Sequence, residues 1–148
     1  MQIVYIDIDD VLADFTSAFD QHIRDRPGIQ YPQSQQGFFS SLPEVSGGIA
    51  AVKALIDSEK YDPYILSAPS LKNPLSYTEK RLWIEDKFGY DFVDRLILCA
   101  HKGLLKGDIL IDDNHRGRGQ EHFDGELIHF GSDRFPDWES VMKHLEIA

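Results

Sequence analysis

Three features of the 148-residue sequence predict an α/β fold, an open sheet of parallel strands with helices packed against it. Strand-like runs alternate with segments of helical period along the chain. The first run, residues 1–8, is apolar and β-branched without clean alternation, as suits a strand buried on both faces of a parallel sheet. Two of the runs end in clustered aspartates, at the edge where open α/β sheets hold their ligands.

Behind the first strand, Phe15, Ala18, Phe19 and Ile23 recur at three- and four-residue spacing and predict a helix ending near Pro27 and Gly28. Residues 27–42 are rich in Gln, Ser, Pro and Gly without a sustained period. They read as a loop or short insertion anchored by Phe38 and Phe39. Ile49, Val52, Leu55 and Ile56 predict a second helix over 48–58, leading into a strand at 63–66. Pro74 sits near the start of a third helix that carries Tyr77, Leu82, Trp83 and Phe88 and stops at Gly89. Residues 96–99, 108–111 and 125–130 read as further strands, and Asp137 as the N-cap of a last short helix with Trp138, Val141 and Leu145. No repeat, charge block or linker divides the chain. A single domain over 1–148 is therefore expected, with a short insertion at about 16–45.

A hydrophobic content of 42% is enough for one well-packed core at this length. The single cysteine, Cys99, excludes an internal disulfide. It ends the apolar run Leu96-Ile97-Leu98, which predicts a small buried side chain and not a reactive thiol. Lys and Arg total 15 against 25 Asp and Glu, so a net negative field repels long polyanions and argues against nucleic acid polymers as partners. A small phosphate ester can still be held by a local metal ion. No apolar run approaches the ~18 residues of a membrane span. The first strand starts within two residues, in place of a basic and then apolar leader, so no membrane partner and a cytoplasmic location are expected.

The carboxyl end of the first strand delivers Asp7-Ile8-Asp9-Asp10-Val11, and close carboxylates repel unless protons or a cation compensate. The run at 108–111 repeats the device with Asp112 and Asp113. In a parallel sheet the two clusters share an edge and offer the hard oxygen ligands that magnesium prefers. One such cluster alone reads equally well as a helix cap or solvated turn; two on one edge favour a metal site. Ser67 follows the strand at 63–66, where its hydroxyl and neighbouring amides could bind phosphate oxygens. Lys102, in the loop after Cys99, could offset phosphate and carboxylate charge. Taken singly, Ser67 is a turn residue and Lys102 a solvated surface lysine.

In order, Asp-x-Asp-x-Val at 7–11, Ser67, Lys102 and Asp112-Asp113 closely resemble the four-part signature of haloacid dehalogenase (HAD) phosphatases. The stretch from Asp7 to Phe15 resembles the start of the 5'(3')-deoxyribonucleotidase family. So does the block at 77–113, with Glu79-Lys80, Trp83-Ile84-Glu85, Phe88-Gly89, Asp91-Phe92 and Ile111-Asp112-Asp113, while Asp137-Trp138 resembles the family's final helix. The resemblance implies a HAD-like, Rossmann-like sheet with a reduced cap insertion after the first strand. It also implies a magnesium-dependent phosphomonoesterase acting on nucleoside or deoxyribonucleoside 5'-monophosphates. Asp7 would attack phosphorus and form an aspartyl phosphate, and Asp9 would serve as general acid and then base. The Asp7 carboxylate and Asp9 carbonyl would ligate the metal with Asp112, Asp113 or both, and Ser67 and Lys102 would hold the phosphoryl oxygens.

The sequence departs from that family in having Asp10 where Gly is usual, and in an insertion between Phe15 and Phe38 much shorter than in animal members. Phe15 matches a substrate-contacting position, whereas Phe38 and Phe39 read better as core aromatics. The stretch Asn114-His115-Arg116-Gly117-Arg118-Gly119 reads better as a solvated loop than as a substrate contact. The Walker pattern and the dinucleotide glycine fingerprint are absent. Two alternatives stand beside the nucleotidase reading: a HAD phosphatase for another small phosphate such as a sugar phosphate, and a catalytically idle HAD-fold interaction domain. An open site under a short cap also leaves room for a homodimer.

Overall fold

The computed structural model describes residues 1–148. Strands β1 (Gln2–Ile6), β2 (Tyr61–Ser67), β3 (Leu96–Leu98), β4 (Ile109–Asp112) and β5 (Glu126–His129) form one sheet in the order β3-β2-β1-β4-β5. Every neighbouring pair is parallel. The chain builds outward from β1 through β2 to β3, then returns to the far side of β1 for β4 and β5. The connections of β1 and β4 therefore part in opposite directions, and the crevice between them is where such sheets receive ligands.

Successive residues of a strand face opposite sides of the sheet, and here both sides are buried. Val4, Ile6, Ile65, Ile109, Ile111 and Ile128 point into the larger core. They meet Val52 and Leu55 of α2 (Gly48–Asp57), Trp83 and Ile84 of α3 (Ser76–Phe88) and Trp138 and Val141 of α4 (Trp138–His144). Helix α1 (Phe15–Asp25) adds Phe15, Ala18 and Phe19 from its partly buried stripe. Tyr5, Leu66 and Leu110 face the other way and are closed over by Phe123 and Leu105 from the turns between β3, β4 and β5. This two-sided burial is why the first strand shows no alternation. No helix is long and apolar enough to cross a membrane.

Asp137 caps α4 as its sequence predicts, accepting from Ser140 N at 2.9 Å within a capping box. Strand β2 starts two residues earlier than expected. Pro63 is tolerated there because β3 joins β2 only from Ile65 onward, so the proline lies where one side of the strand is an edge. Cys99 corrects the expectation of a buried thiol. It is half-buried, because β3 is the outermost strand and all three of its residues are only partly covered.

Helix α3 corrects a second expectation. Tyr77 and Leu82 are exposed, at 53% and 49%, and the face turned inward is Ser76, Glu79, Lys80, Trp83 and Ile84. Glu79 accepts the backbone N–H of Gly37 at 2.8 Å, Phe39 at 3.0 Å and Ser40 at 3.4 Å, and Trp83 Nε1 donates to Leu42 O at 2.8 Å. The segment after α1, which has no period of its own, is thus fastened to α3 by one buried carboxylate and one indole. Replacing Glu79 with Ala orphans three amides, and we expect a loss of about 3 kcal/mol in urea unfolding. A loss below about 1 kcal/mol would show that water satisfies those amides instead.

Candidate active site

Asp7 continues the β1 ladder by donating its N–H to Ile111 O at 2.9 Å, which sets its side chain beside the end of β4. The next residues turn tightly, with Ile8 O accepting from Val11, Leu12 and Ala13 at 3.2, 2.8 and 2.9 Å. Asp10 occupies this turn at φ +61°, a left-handed conformation that favours Gly and costs another residue about 1 kcal/mol. Its carboxylate offsets that cost by accepting from Thr16 N at 2.8 Å and Thr16 Oγ1 at 2.6 Å, across the start of α1. The departure at position 10 is therefore accommodated locally.

The carboxylates of Asp7, Asp112 and Asp113 offer oxygens that lie within 4.8 Å of one another. Lys102 stands among them, buried, with Nζ 3.0 Å from Asp7 Oδ1 and 2.5 Å from Asp112 Oδ2. Burial alone would lower the Lys102 pKa, but the charges of Asp7 and Asp112 outweigh it and hold the ammonium above its ordinary value. A lysine read from sequence as a loop ammonium is thus a fixed internal cation. Asp112 is fully engaged: Oδ2 also accepts from Gln120 Nε2 at 3.3 Å, and Oδ1 from Asn114 N at 2.9 Å.

Asp113 differs, because its Oδ1 is buried without a hydrogen-bond partner. Burial and the neighbouring Asp7 charge push its carboxyl up to about 9. A folded pKa above the ordinary value means the native state favours the protonated form, so stability falls as pH rises toward 9 unless a cation replaces the proton. Burial likewise raises Asp7 and Asp9, against the lowering influence of Lys102 on Asp7 and of Lys80 on Asp9. An orphaned buried oxygen beside two more hard-oxygen donors is a donor set that fits a divalent cation. The Asp9 carboxylate is not in that group.

Asp9 is held instead by a residue whose role sequence reading did not identify. Lys80 Nζ donates to Asp9 Oδ2 and to Ser67 Oγ, both at 2.8 Å, and lies 4.9 Å from the centre of the Phe39 ring. Lys80 and Ser67 are each 1% exposed. The Ser67 hydroxyl accepts from the ammonium, which leaves its own hydrogen to donate, but the open wall beside it is formed by Ala68.

Asp7, Asp9, Lys102, Asp112 and Asp113 line a cleft of about 360 Å³ between the β1 and β4 connections, whereas Ser67 and Lys80 stand behind its wall. Phe15 forms part of its wall, with Phe38 and Phe39 packed behind at ring distances of 5.4 and 6.0 Å. Both of those rings are 2% exposed and belong to the core. The stretch after Asp113 divides. His115 and Arg116 are exposed as expected of a solvated loop, whereas Asn114, Arg118 and the buried Gln120 line the cleft. No periodicity marks them.

Comparison with known proteins gives a consistent set of relatives. The family model of the 5' nucleotidase, deoxy (pyrimidine), cytosolic type C protein matches residues 25–143. A putative 5'(3')-deoxyribonucleotidase of Vibrio phage KVP40 is 43% identical over 145 residues, covering 97% of this chain and 84% of the phage protein. The human cytosolic-type 5'(3')-deoxyribonucleotidase is 34% identical over 106 residues, 72% of this chain and 47% of its own length. The human mitochondrial 5'(3')-deoxyribonucleotidase is 27% identical, covering 97% of this chain and 73% of the human protein. That last alignment spans 179 positions against the 148 residues of this chain, so the mitochondrial protein carries segments without a counterpart here.

Proposed function

The chain belongs to the 5' nucleotidase, deoxy (pyrimidine), cytosolic type C family, and we propose that it is a magnesium-dependent phosphomonoesterase that dephosphorylates deoxyribonucleoside 5'-monophosphates through an aspartyl phosphate on Asp7. Membership supports the class, a 5'-nucleotidase-type phosphoric monoester hydrolase. The observation that carries the mechanism is the convergence of Asp7 from β1, Lys102 from the turn after β3 and Asp113 beyond β4 on one cleft.

Asp7 and Asp113, with the Asp9 carbonyl, would hold the metal. When bound, magnesium neutralises the clustered carboxylates and withdraws charge from a phosphoryl oxygen. An Asp7 carboxylate oxygen attacks phosphorus, and the ester bond breaks as Asp9, its proton favoured by burial, protonates the leaving oxygen. Asp9 then takes a proton from water, which attacks phosphorus; the bond to Asp7 breaks, phosphate leaves and the carboxylate is regenerated. Lys102 holds Asp7 at its attacking angle and offsets charge on the phosphoryl oxygens. Asp112 is assigned a positioning role, fixing Lys102 and Gln120.

The test is phosphate release from deoxy- and ribonucleoside monophosphates and from sugar phosphates, with magnesium or with chelator. Magnesium-dependent release confined to nucleotides supports the reading in full. Release mainly from sugar phosphates keeps the mechanism and replaces the substrate. The cleft itself favours that second substrate class in one respect, since Phe15 and Ala68 are its only apolar walls. No release from any of them overturns the reading.

The metal assignment makes its own prediction, independent of turnover. A cation at a hundredfold excess over its Kd stabilises by about 2.7 kcal/mol, which corresponds to a rise of about 5–10 °C in Tm at this chain length. We expect that rise with magnesium in the parent protein and its loss in Asp113→Asn. An equal rise in both proteins would remove Asp113 from the ligand set.

A further inference from the structure

Charge in the cleft is lopsided. Asp7, Asp9, Asp10, Asp112 and Asp113 line it, and Lys102 and Arg118 are the only lining cations. Lys102 is engaged by Asp7 and Asp112, and Lys80, behind the wall, by Asp9 and Ser67. The Arg118 guanidinium is the exception: it forms neither an ion pair nor a hydrogen bond with the protein, although the chain has more acids than bases. An unpaired, half-buried arginine facing five carboxylates is arranged for an anion that arrives from outside.

The backbone beneath it is fixed. Arg118 N donates to Gln120 Oε1 at 2.8 Å, and Arg118 O accepts from Lys102 N at 2.7 Å. Gln120 in turn holds Asp112 at 3.3 Å. Gly119, at φ +80°, lets the strand of loop close on its neighbour: a Cβ there would lie 3.0 Å from Gly103 N and 3.2 Å from Lys102 N. Arg118 therefore springs from the same scaffold as Lys102 and Asp112, while the exposed Arg116 two residues earlier does not line the cleft.

We propose that Arg118 is a substrate-binding residue that takes the phosphate group of the monoester, supplying the free positive charge that the two engaged lysines do not. This rests on the phosphatase reading of the site. A phosphate monoester carries a charge of about −1.5 to −2 at neutral pH and is repelled by unshielded carboxylates. The planar guanidinium matches phosphate oxygens with two parallel hydrogen bonds, which a point ammonium does not reproduce.

The experiment compares Arg118→Gln, Arg118→Lys and the control Arg116→Gln with the parent, all loaded with magnesium. KM and kcat are measured for a deoxyribonucleoside monophosphate and for p-nitrophenyl phosphate, and Ki for orthophosphate. Arg118→Gln should raise both KM values and the Ki together by about 10- to 100-fold, the loss of one charge-assisted interaction, with kcat affected far less. Arg118→Lys should fall between the two, and Arg116→Gln should match the parent. Unchanged KM and Ki in Arg118→Gln overturn the proposal. A raised KM for the nucleotide alone, with orthophosphate unaffected, also overturns it and assigns Arg118 to the nucleoside. Should the parent turn over no monoester, calorimetric titration with orthophosphate separates the two claims. Binding by the parent that is lost in Arg118→Gln upholds the anion site while the phosphatase reading fails, and no binding by the parent overturns the site as well.

Discussion

Asp7→Asn is expected to leave a folded protein with turnover reduced by roughly 10⁴-fold or more, since a neutral amide is isosteric with the carboxylate but is not a usable nucleophile toward phosphorus. The surroundings of Asp7 explain why the fold should survive. Asp7 is buried among like charges, and its burial raises its pKa, so the charged form is costly in the absence of a cation. Lys102 loses one of two negative charges beside it and keeps Asp112 at 2.5 Å. The amide oxygen can still accept from Lys102 where Asp7 Oδ1 now does at 3.0 Å. Stability without metal should therefore stay the same or rise. Steady-state phosphate release and thermal unfolding together decide the matter. Residual turnover within tenfold of the parent would exclude a covalent intermediate on Asp7, and collapse of the fold would mean that its charge is structural. The same variant separates an enzyme from an idle interaction domain, in which nothing measurable in turnover changes.

Much of this arrangement is legible in the sequence because it rests on local rules. A buried parallel strand must be apolar on both faces, and a sheet edge that gathers acids must compensate them, so Asp7, Asp9, Asp112 and Asp113 stand out at the ends of 1–8 and 108–111. The cap at Asp137 and the stop at Gly89 follow from side-chain and backbone chemistry at single positions. What stayed hidden depends on tertiary packing. Helix α3 turns Ser76, Glu79, Lys80, Trp83 and Ile84 inward, a stripe at three- and four-residue spacing that a search for apolar periodicity passes over because three of its members are polar. Reading the stripe from Trp83 backward would have found it. Gln120 carries no such signal, and Arg118 shows only as one basic residue of a loop weighed as a substrate contact, because the place of each is set only where the turns after β3 and β4 meet. Ser67 was visible as a strand-end hydroxyl, but not its bond to Lys80, thirteen residues along the chain.

That hidden lysine carries the second large effect. Lys80→Met removes an ammonium from between Asp9 and Ser67 and leaves two polar atoms facing an apolar side chain. Breaking a buried ion pair from one side costs about 3–5 kcal/mol, and because the Asp9 side chain is 27% exposed we expect the lower part of that range. The catalytic consequence follows from the sign of the Lys80 influence. Burial raises the Asp9 pKa and the nearby ammonium pulls it back, so without Lys80 the proton is held more tightly still. Protonating the leaving oxygen remains possible, but taking a proton from water requires Asp9 ionised, so the acid limb of the kcat profile should move to higher pH. Turnover near neutrality should fall by about 10²- to 10³-fold, the range of a lost general base. A merely structural lysine would lower stability and leave the position of that limb unchanged. The double variant Asp9→Asn with Lys80→Met separates the two contributions further. Removing both charges should restore most of the stability lost in Lys80→Met alone, because the penalty lies in the unpaired carboxylate and not in the missing methylene contacts. If the double variant is instead as unstable as the sum of its parts, Asp9 and Lys80 are not coupled, and the role assigned to the lysine fails with that result.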